Sequence, residues 1–387
     1  MKYKLLKTDC FKSILASVIC AVVGIIVGYI ILLLISAPNA TKAITTILKN
    51  FMYFKKPAQR LYYFGSTLVK AVPLILCGLS VLFAYKAGLF NIGVGGQYCV
   101  AIGISLWCAL NWHLPWWLCI VLASLVAALW GAIVGFFKAV FNINEVIACI
   151  MMNWIGLYLV NILLQQESVM NLNASETYSI RKVSPGSIIP SLGLEKIFHN
   201  NEYVSIAIPL TVLIAVILWI LLNKTTLGYE LTATGLNKNA AKYSGMKEKF
   251  NIIITMAISG ALAGIAASFF YLTDIQTWRT ASSVPAMGFN GIAAAFLGGL
   301  NPIGSVFSSY FIQHITSGGA YIDKMVYSSQ ISDLISAIII YLCGFVFFAK
   351  TALNRWLMTK DAASARKAET AKQVAASSET EKGGDAE

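Results

Sequence analysis

Long apolar runs separated by shorter polar stretches set the rhythm of this chain. The runs cover residues 11–36, 66–85, 93–110, 116–140, 145–164, 203–222, 251–272 and 329–348, and each carries almost no charge. About twenty such residues, rising about 1.5 Å apiece as a helix, cross a hydrocarbon core of about 30 Å. The pattern predicts an all-α polytopic membrane protein. Small residues four apart (Gly24 and Gly28, Gly131 and Gly135, Gly260 and Gly264) predict closely packed helix faces. Pro73 predicts a kink, Lys70 lies where its long stem can snorkel, and Trp107, Trp112, Trp116 and Trp117 mark one water boundary. Residues 286–319 break the rhythm: two shorter apolar pieces, GFNGIAAAFLGGL and IGSVFSSYFIQHITSGG, meet at Asn301 and Pro302. Glycine- and proline-interrupted short pieces point to discontinuous helices beside a transport path.

The polar stretches differ in kind. Between two spans, AYKAGLFNIGVGGQYCVAIGIS places Gly88, Phe90, Asn91, Gly93, Gly95, Gly96 and Gln97 together. Broken helix persists at membrane depth only against protein or a polar cavity, so this break suits a polar passage or a close helix crossing; a tight turn at the inner boundary fits equally well. Residues 37–63 carry Lys42, Lys49, Lys55, Lys56 and Arg60 with no acid and have room for a short helix of their own. Residues 165–202 hold four acids against three bases, as suits the outer side. Residues 223–250 hold five lysines against two glutamates, and their centre, GLNKNAAKYSGM, predicts a short helix bounded by Gly235 and Gly245. Beyond 350 the composition turns to Ala, Lys, Ser and Glu, which predicts a disordered tail over 351–387 after a membrane domain over 1–350.

Charge then orients the spans. With the amino terminus inside and the spans alternating, 18 of the 29 lysines and arginines fall on the inner side. The basic stretch 37–60 runs against that bias. A net charge of +12 would suggest nucleic acid in a soluble chain; in this one the cations cluster between and beyond the spans, so the partner they imply is the bilayer and not nucleic acid.

Candidate chemistry is sparse. The three histidines are far apart, no G-x-x-x-x-G-K-[ST] occurs, and the eight cysteines show no metal-ligand spacing and read as small apolar packing residues. Neither catalysis nor a metal site is expected. Glu145, Asp274 and Asp333 lie toward span ends, where solvation is the simpler role. The remaining polar candidates are amides (Asn91, Gln97, Asn144, Asn153, Asn290 and Gln313), which can bind a neutral, hydroxyl-rich solute or bond helix to helix.

Four motifs in order, AYKAGLFNIGVGGQ, NEVIACIMMNWI, TTLGYELTATGLNKNAAKYSGM and GFNGIAAAFLGGLNPIGSVF, resemble the permease subunits of ATP-binding-cassette (ABC) importers for simple sugars and nucleosides, and among them the nucleoside branch. The resemblance covers about 73–344. Gly95 stands where that branch commonly has an acid. The resemblance implies a type II ABC importer permease fold of about ten transmembrane helices in a bacterial inner membrane, while the charge count predicts both termini on the cytoplasmic side. It implies a second related permease chain, a separate cytoplasmic ATPase that holds ATP and Mg, and an extracytoplasmic substrate-binding (lipo)protein, with no cofactor on this chain. Matched residue by residue, Gly235, Asn237, Ala240, Ala241 and Gly245 correspond to the ATPase coupling loop. Phe90, Asn91 and Gln97 match the signature break and Asn144 and Glu145 the start of the following span; with Asn153 and Asn290 these form the expected substrate pathway. Nucleosides are the expected solute, ribose-like sugars the alternative, and an ion-coupled secondary carrier the rival from another class. A Gly245→Trp substitution is expected to clash at the boundary of the short helix.

Overall fold

A computed structural model describes residues 9–343, 345–346, 348–352, 354–355 and 359. The expected tail beyond 359 and the side chain of Asp333 lie outside the described residues. Helices α1 (Asp9–Lys49), α2 (Pro57–Lys86), α3 (Val94–Leu110), α4 (Trp116–Phe141) and α5 (Glu145–Leu164) come first. A surface layer follows, with a two-stranded hairpin (β1 Met170–Asn171, β2 Glu176–Thr177) and the short helices α6 (Ile180–Val183) and α7 (Leu194–Ile197). Then come α8 (Ala207–Lys224), α9 (Thr226–Leu236), α10 (Lys238–Tyr243), α11 (Glu248–Tyr271), α12 (Met287–Leu297), α13 (Pro302–Gly319) and α14 (Ser329–Cys343). Among the described residues six helices are long and apolar enough to cross a membrane, and α3 and α12 are shorter apolar helices. The chain is thus an all-α, multi-pass membrane protein.

The basic stretch 37–49 is not a connector but the continuation of the first helix past a kink at Ser36 (φ −154°, ψ 91°). Pro57, at the first turn of α2, starts that helix nine residues ahead of the apolar run, because proline's missing N–H costs nothing there. The 286–319 region divides as its sequence predicts. Asn301 caps α13 by accepting from the Ile303 and Gly304 amides (3.0 and 3.3 Å). At eleven residues, α12 is about 16 Å long by helical rise, roughly half a bilayer.

Helix α2 is the axis of the bundle, buried from Ala71 to Ala84 without interruption and enclosed by α11, α12, α13 and α8. The small-residue pairs do what their spacing predicts. Gly131 and Gly135 of α4 lie against Met256 and Ile253 of α11, while Gly260 and Gly264 of α11 receive Ala127 and Ser124 of α4. Cys20, Cys77, Cys99, Cys108, Cys119 and Cys149 are buried. Two water-facing ends result. One carries Lys86–Leu89, 142–145 and 225–250; the other carries 50–63, 111–115 and the 165–206 layer. That layer is tied down: Asp274 accepts from the Ser179 hydroxyl (2.5 Å) and the Ile180 amide (3.1 Å), and Glu176 pairs with Arg279 (3.0 Å). Asp274 and Glu145 are therefore partnered as well as near solvent, since Glu145 bonds Lys138 at 2.8 Å.

Candidate functional site: a buried joint and an exposed loop

The break between α2 and α3 turns at Gly88 (φ +72°). Asn91, fully buried, folds its side chain back so that Oδ1 accepts from the Gly93 amide (2.9 Å). Its Nδ2 donates to Gln97 Oε1 (3.0 Å) and to Ser259 Oγ of α11 (2.7 Å). Ser259 in turn donates to the Ser80 carbonyl (2.8 Å), and Ser80 donates to the Ser259 carbonyl (2.7 Å). Asn153 of α5 completes the joint: Oδ1 accepts from the Gly96 amide (2.8 Å) and Nδ2 donates to the Ile92 carbonyl (3.1 Å). The first turn of α3 has no cap from its own Gly93, so the bond from Asn153 satisfies a donor that would otherwise be orphaned. Four helices, α2, α3, α5 and α11, are cinched by side chains exposed by 3% or less.

The other expected pathway residues lie apart from this joint. Asn144 caps α5, accepting from the Val146 amide (2.9 Å), and is exposed. Phe90 is half-buried and tilted against Phe296. Asn290, half-buried, lies in the first turn of α12. Ser80 and Ser259 were not singled out in the sequence; their only signal is a serine within a small-residue run, ISGALAG for Ser259.

The 223–250 segment folds into two helices instead of one. The predicted short helix is α10, and α9 precedes it, started by Thr225, whose Oγ1 accepts from the Gly228 amide (3.2 Å). Gly235 lies inside α9 and marks a packing contact, not the helix boundary. A Cβ built there would stand 2.5 Å from the Ala87 carbonyl carbon and 2.6 Å from the Gly88 amide nitrogen, so the two breaks touch backbone to backbone. Asn237 caps α10, its Oδ1 accepting from the Asn239 and Ala240 amides (both 3.0 Å). Ala241 is the buried foot of α10, and Ala240 is exposed. Gly245 ends the helix at φ +82°, and its amide donates to the Lys242 carbonyl (3.0 Å). No atom lies within 4 Å of a Cβ built on Gly245, so the expected clash of a tryptophan does not arise; any cost comes from the left-handed backbone. Tyr243 is 93% and Leu236 85% exposed, and Lys238, Lys242, Lys247 and Lys249 are exposed around them. Large apolar groups held out on a rigid, basic, water-facing support form a surface suited to another protein.

Comparison with known proteins identifies a family. Residues 63–344 match the family described as branched-chain amino acid transport system / permease component. The chain is 34% identical over 307 residues to the guanosine ABC transporter permease protein NupP of Bacillus subtilis (strain 168), covering 78% of this chain and 84% of that protein. It is 30% identical over 296 residues to the nucleoside ABC transporter permease protein NupB of Lactococcus lactis subsp. cremoris (strain MG1363), covering 75% and 81%. The glucose ABC transporter permease protein TsgB13 of Haloferax volcanii is 28% identical over 303 residues, covering 74% and 78%. No solved structure matches the chain.

Proposed function

Because this chain belongs to the branched-chain amino acid transport system permease component family, we propose that it is the membrane subunit of an ABC importer for nucleosides. Its likeness to the guanosine and nucleoside permeases over 78% and 75% of the chain is the observation that carries this reading. The chain is a transporter subunit and not an enzyme. ATP and Mg belong to a separate cytoplasmic ATPase, a second related permease completes the pathway, and an extracytoplasmic binding protein delivers solute. The end bearing 225–250 is cytoplasmic in the bacterial inner membrane, as are both termini.

Within this reading α10 is the docking element. ATP-driven closure of the ATPase pushes on Leu236 and Tyr243, and the Gly88–Gly235 contact passes that push to the joint between α2 and α3. A near-complete switch between inward and outward states requires about 5.5 kcal/mol of differential binding. Asn91, Gln97 and Asn153 act as the hinge hardware of the pathway, while Phe90 and Asn290 remain its proposed solute contacts. Simple sugars are the second reading, favoured by the likeness to the glucose permease.

The test is uptake in proteoliposomes. The chain with its ATPase, partner permease and binding protein should concentrate labelled nucleoside only with ATP, and excess glucose or ribose should not compete. Ion-driven accumulation by the chain alone would overturn the proposal.

A further inference from the structure

Lys70 lies on the most enclosed helix of the bundle, yet it is open to the outside of the protein. Between Tyr62 and Ala84 it is the one exposed residue, with Val69 and Ala71 beside it 2% and 1% exposed. Helices on the rim of the bundle expose whole stripes of Leu, Ile and Val, as α4 does with Val121, Leu125 and Leu129. Such a stripe is what lipid covers. A single exposed residue on an axial helix is a different thing. By helical rise the Cα of Lys70 lies about 10 Å inward of that of Tyr63. No hydrogen bond or ion pair involves it among the described residues, whose ion pairs join Lys138 to Glu145, Arg181 to Glu202 and Arg279 to Glu176.

The register says where the opening lies. Cys77, two turns along the same face of α2, packs against Gly291 of the half-length helix α12. Lys70 is about 10 Å outward of Cys77, whereas α12 begins only about 6 Å outward of Gly291. Lys70 therefore stands just beyond the start of α12, and its side chain leans outward along α2.

We infer that Lys70 lines a water-filled opening from the extracytoplasmic end and donates hydrogen bonds to carbonyl oxygens of the passing solute. An intramembrane cation without a counter-charge is held where water or solute reaches it. An ammonium has three donors and no acceptor, so it favours a solute edge made of acceptors. A 6-oxopurine nucleoside offers O6 and N7 together; a 6-aminopurine presents an amino donor at the same edge and is disfavoured. The base preference rests on the nucleoside reading above; the opening does not.

The experiment has two arms, both on the complete transporter in membranes. In the first, Lys70→Cys and Leu125→Cys are exposed from outside to a membrane-impermeant cationic methanethiosulfonate, with the unsubstituted chain as background. Only a hydrated thiol ionises and reacts readily, so Lys70→Cys should react at least tenfold faster than Leu125→Cys. Equal, slow rates would place Lys70 against lipid and overturn the inference. In the second, Lys70→Met should lower the maximal rate of guanosine uptake at least tenfold and leave adenosine within twofold, while Lys70→Arg keeps guanosine within threefold. The binding protein governs the apparent KM, so the loss should fall on the maximal rate. Unchanged guanosine uptake by Lys70→Met would overturn the donor role. If the unsubstituted transporter carries no nucleoside, the base preference falls with that reading, and fast labelling still upholds the opening.

Discussion

Two glycine-bearing breaks, 87–93 and 235–245, touch at Gly88 and Gly235 but spend their asparagines in opposite ways. Asn91 is turned inward and consumed by Gly93, Gln97 and Ser259. Asn237 is exposed and serves only its own helix, whose outer residues face water. Residue type does not separate the two; surroundings do. The first break is enclosed by α5 and α11, so every polar atom there must find protein or pay desolvation. The second has protein beneath it on one side alone. One is a rigid joint and the other a presented surface, and their contact makes them parts of one device.

The strongest way to break that device is at the contact. Gly235→Val places a branched side chain into the backbone of Ala87 and Gly88, atoms with no freedom to move aside. Overpacking of this kind costs about 1–3 kcal/mol or more, so the solubilised transporter should melt several degrees lower and uptake should be lost. Normal melting and normal uptake would show that the two breaks are independent.

Next in size is the joint itself. Asn153→Ala orphans the Gly96 amide and the Ile92 carbonyl, at about 1–3 kcal/mol for each buried group left unpaired. Thermal melting should register the loss together with reduced uptake. Retained melting with uptake lost for one solute only would make Asn153 a solute contact, and the joint would then be part of the pathway wall.

How much of this was legible beforehand follows the same division. Periodicity placed the spans within a few residues, because lipid leaves a helix few alternatives. It stopped short at 37–63, where basic residues masked helix continuing past Ser36 and starting early at Pro57. The sequence predicts α10 but not α9, since Gly235 looks like a helix boundary in sequence and only the nearby backbone of Gly88 shows it as a contact. Asn91, Gln97 and Asn153 stood out as amides in grease. Their partners are another matter: Asn91 reaches Ser259 and Asn153 reaches the Gly96 amide across 168 and 57 residues of chain, which no local pattern carries.

Smaller effects sharpen the comparison on the exposed side. Asn237→Ala removes the cap of α10, worth about 0.5–2 kcal/mol to that helix. Global melting should hardly move, while amide exchange across 238–243 should speed up and ATPase activity should rise relative to uptake. Gly245→Ala pays about 1 kcal/mol for a left-handed backbone with no clash to add, and Gly245→Asn should recover most of it. Equal damage from both would implicate contact with a partner at that position.

Tyr243→Ala is the smallest change in stability and the most direct probe of what the loop is for. The ring is almost wholly exposed, and Tyr243 makes no hydrogen bond through its side chain among the described residues. Removing it should shift melting of the isolated permease by less than about 0.5 kcal/mol, as for other surface substitutions without partners. In the assembled transporter the same ring is expected at the ATPase interface, where a buried aromatic commonly contributes more than 2 kcal/mol to binding. Truncation should therefore weaken ATPase association more than tenfold in a pull-down titration and lower uptake in step. Gln59→Ala, an exposed change at the opposite end, should do neither. Were Tyr243→Ala as silent in the complex as in the free permease, α10 would be a solvated connector, and the contrast between joint and surface would reduce to burial alone.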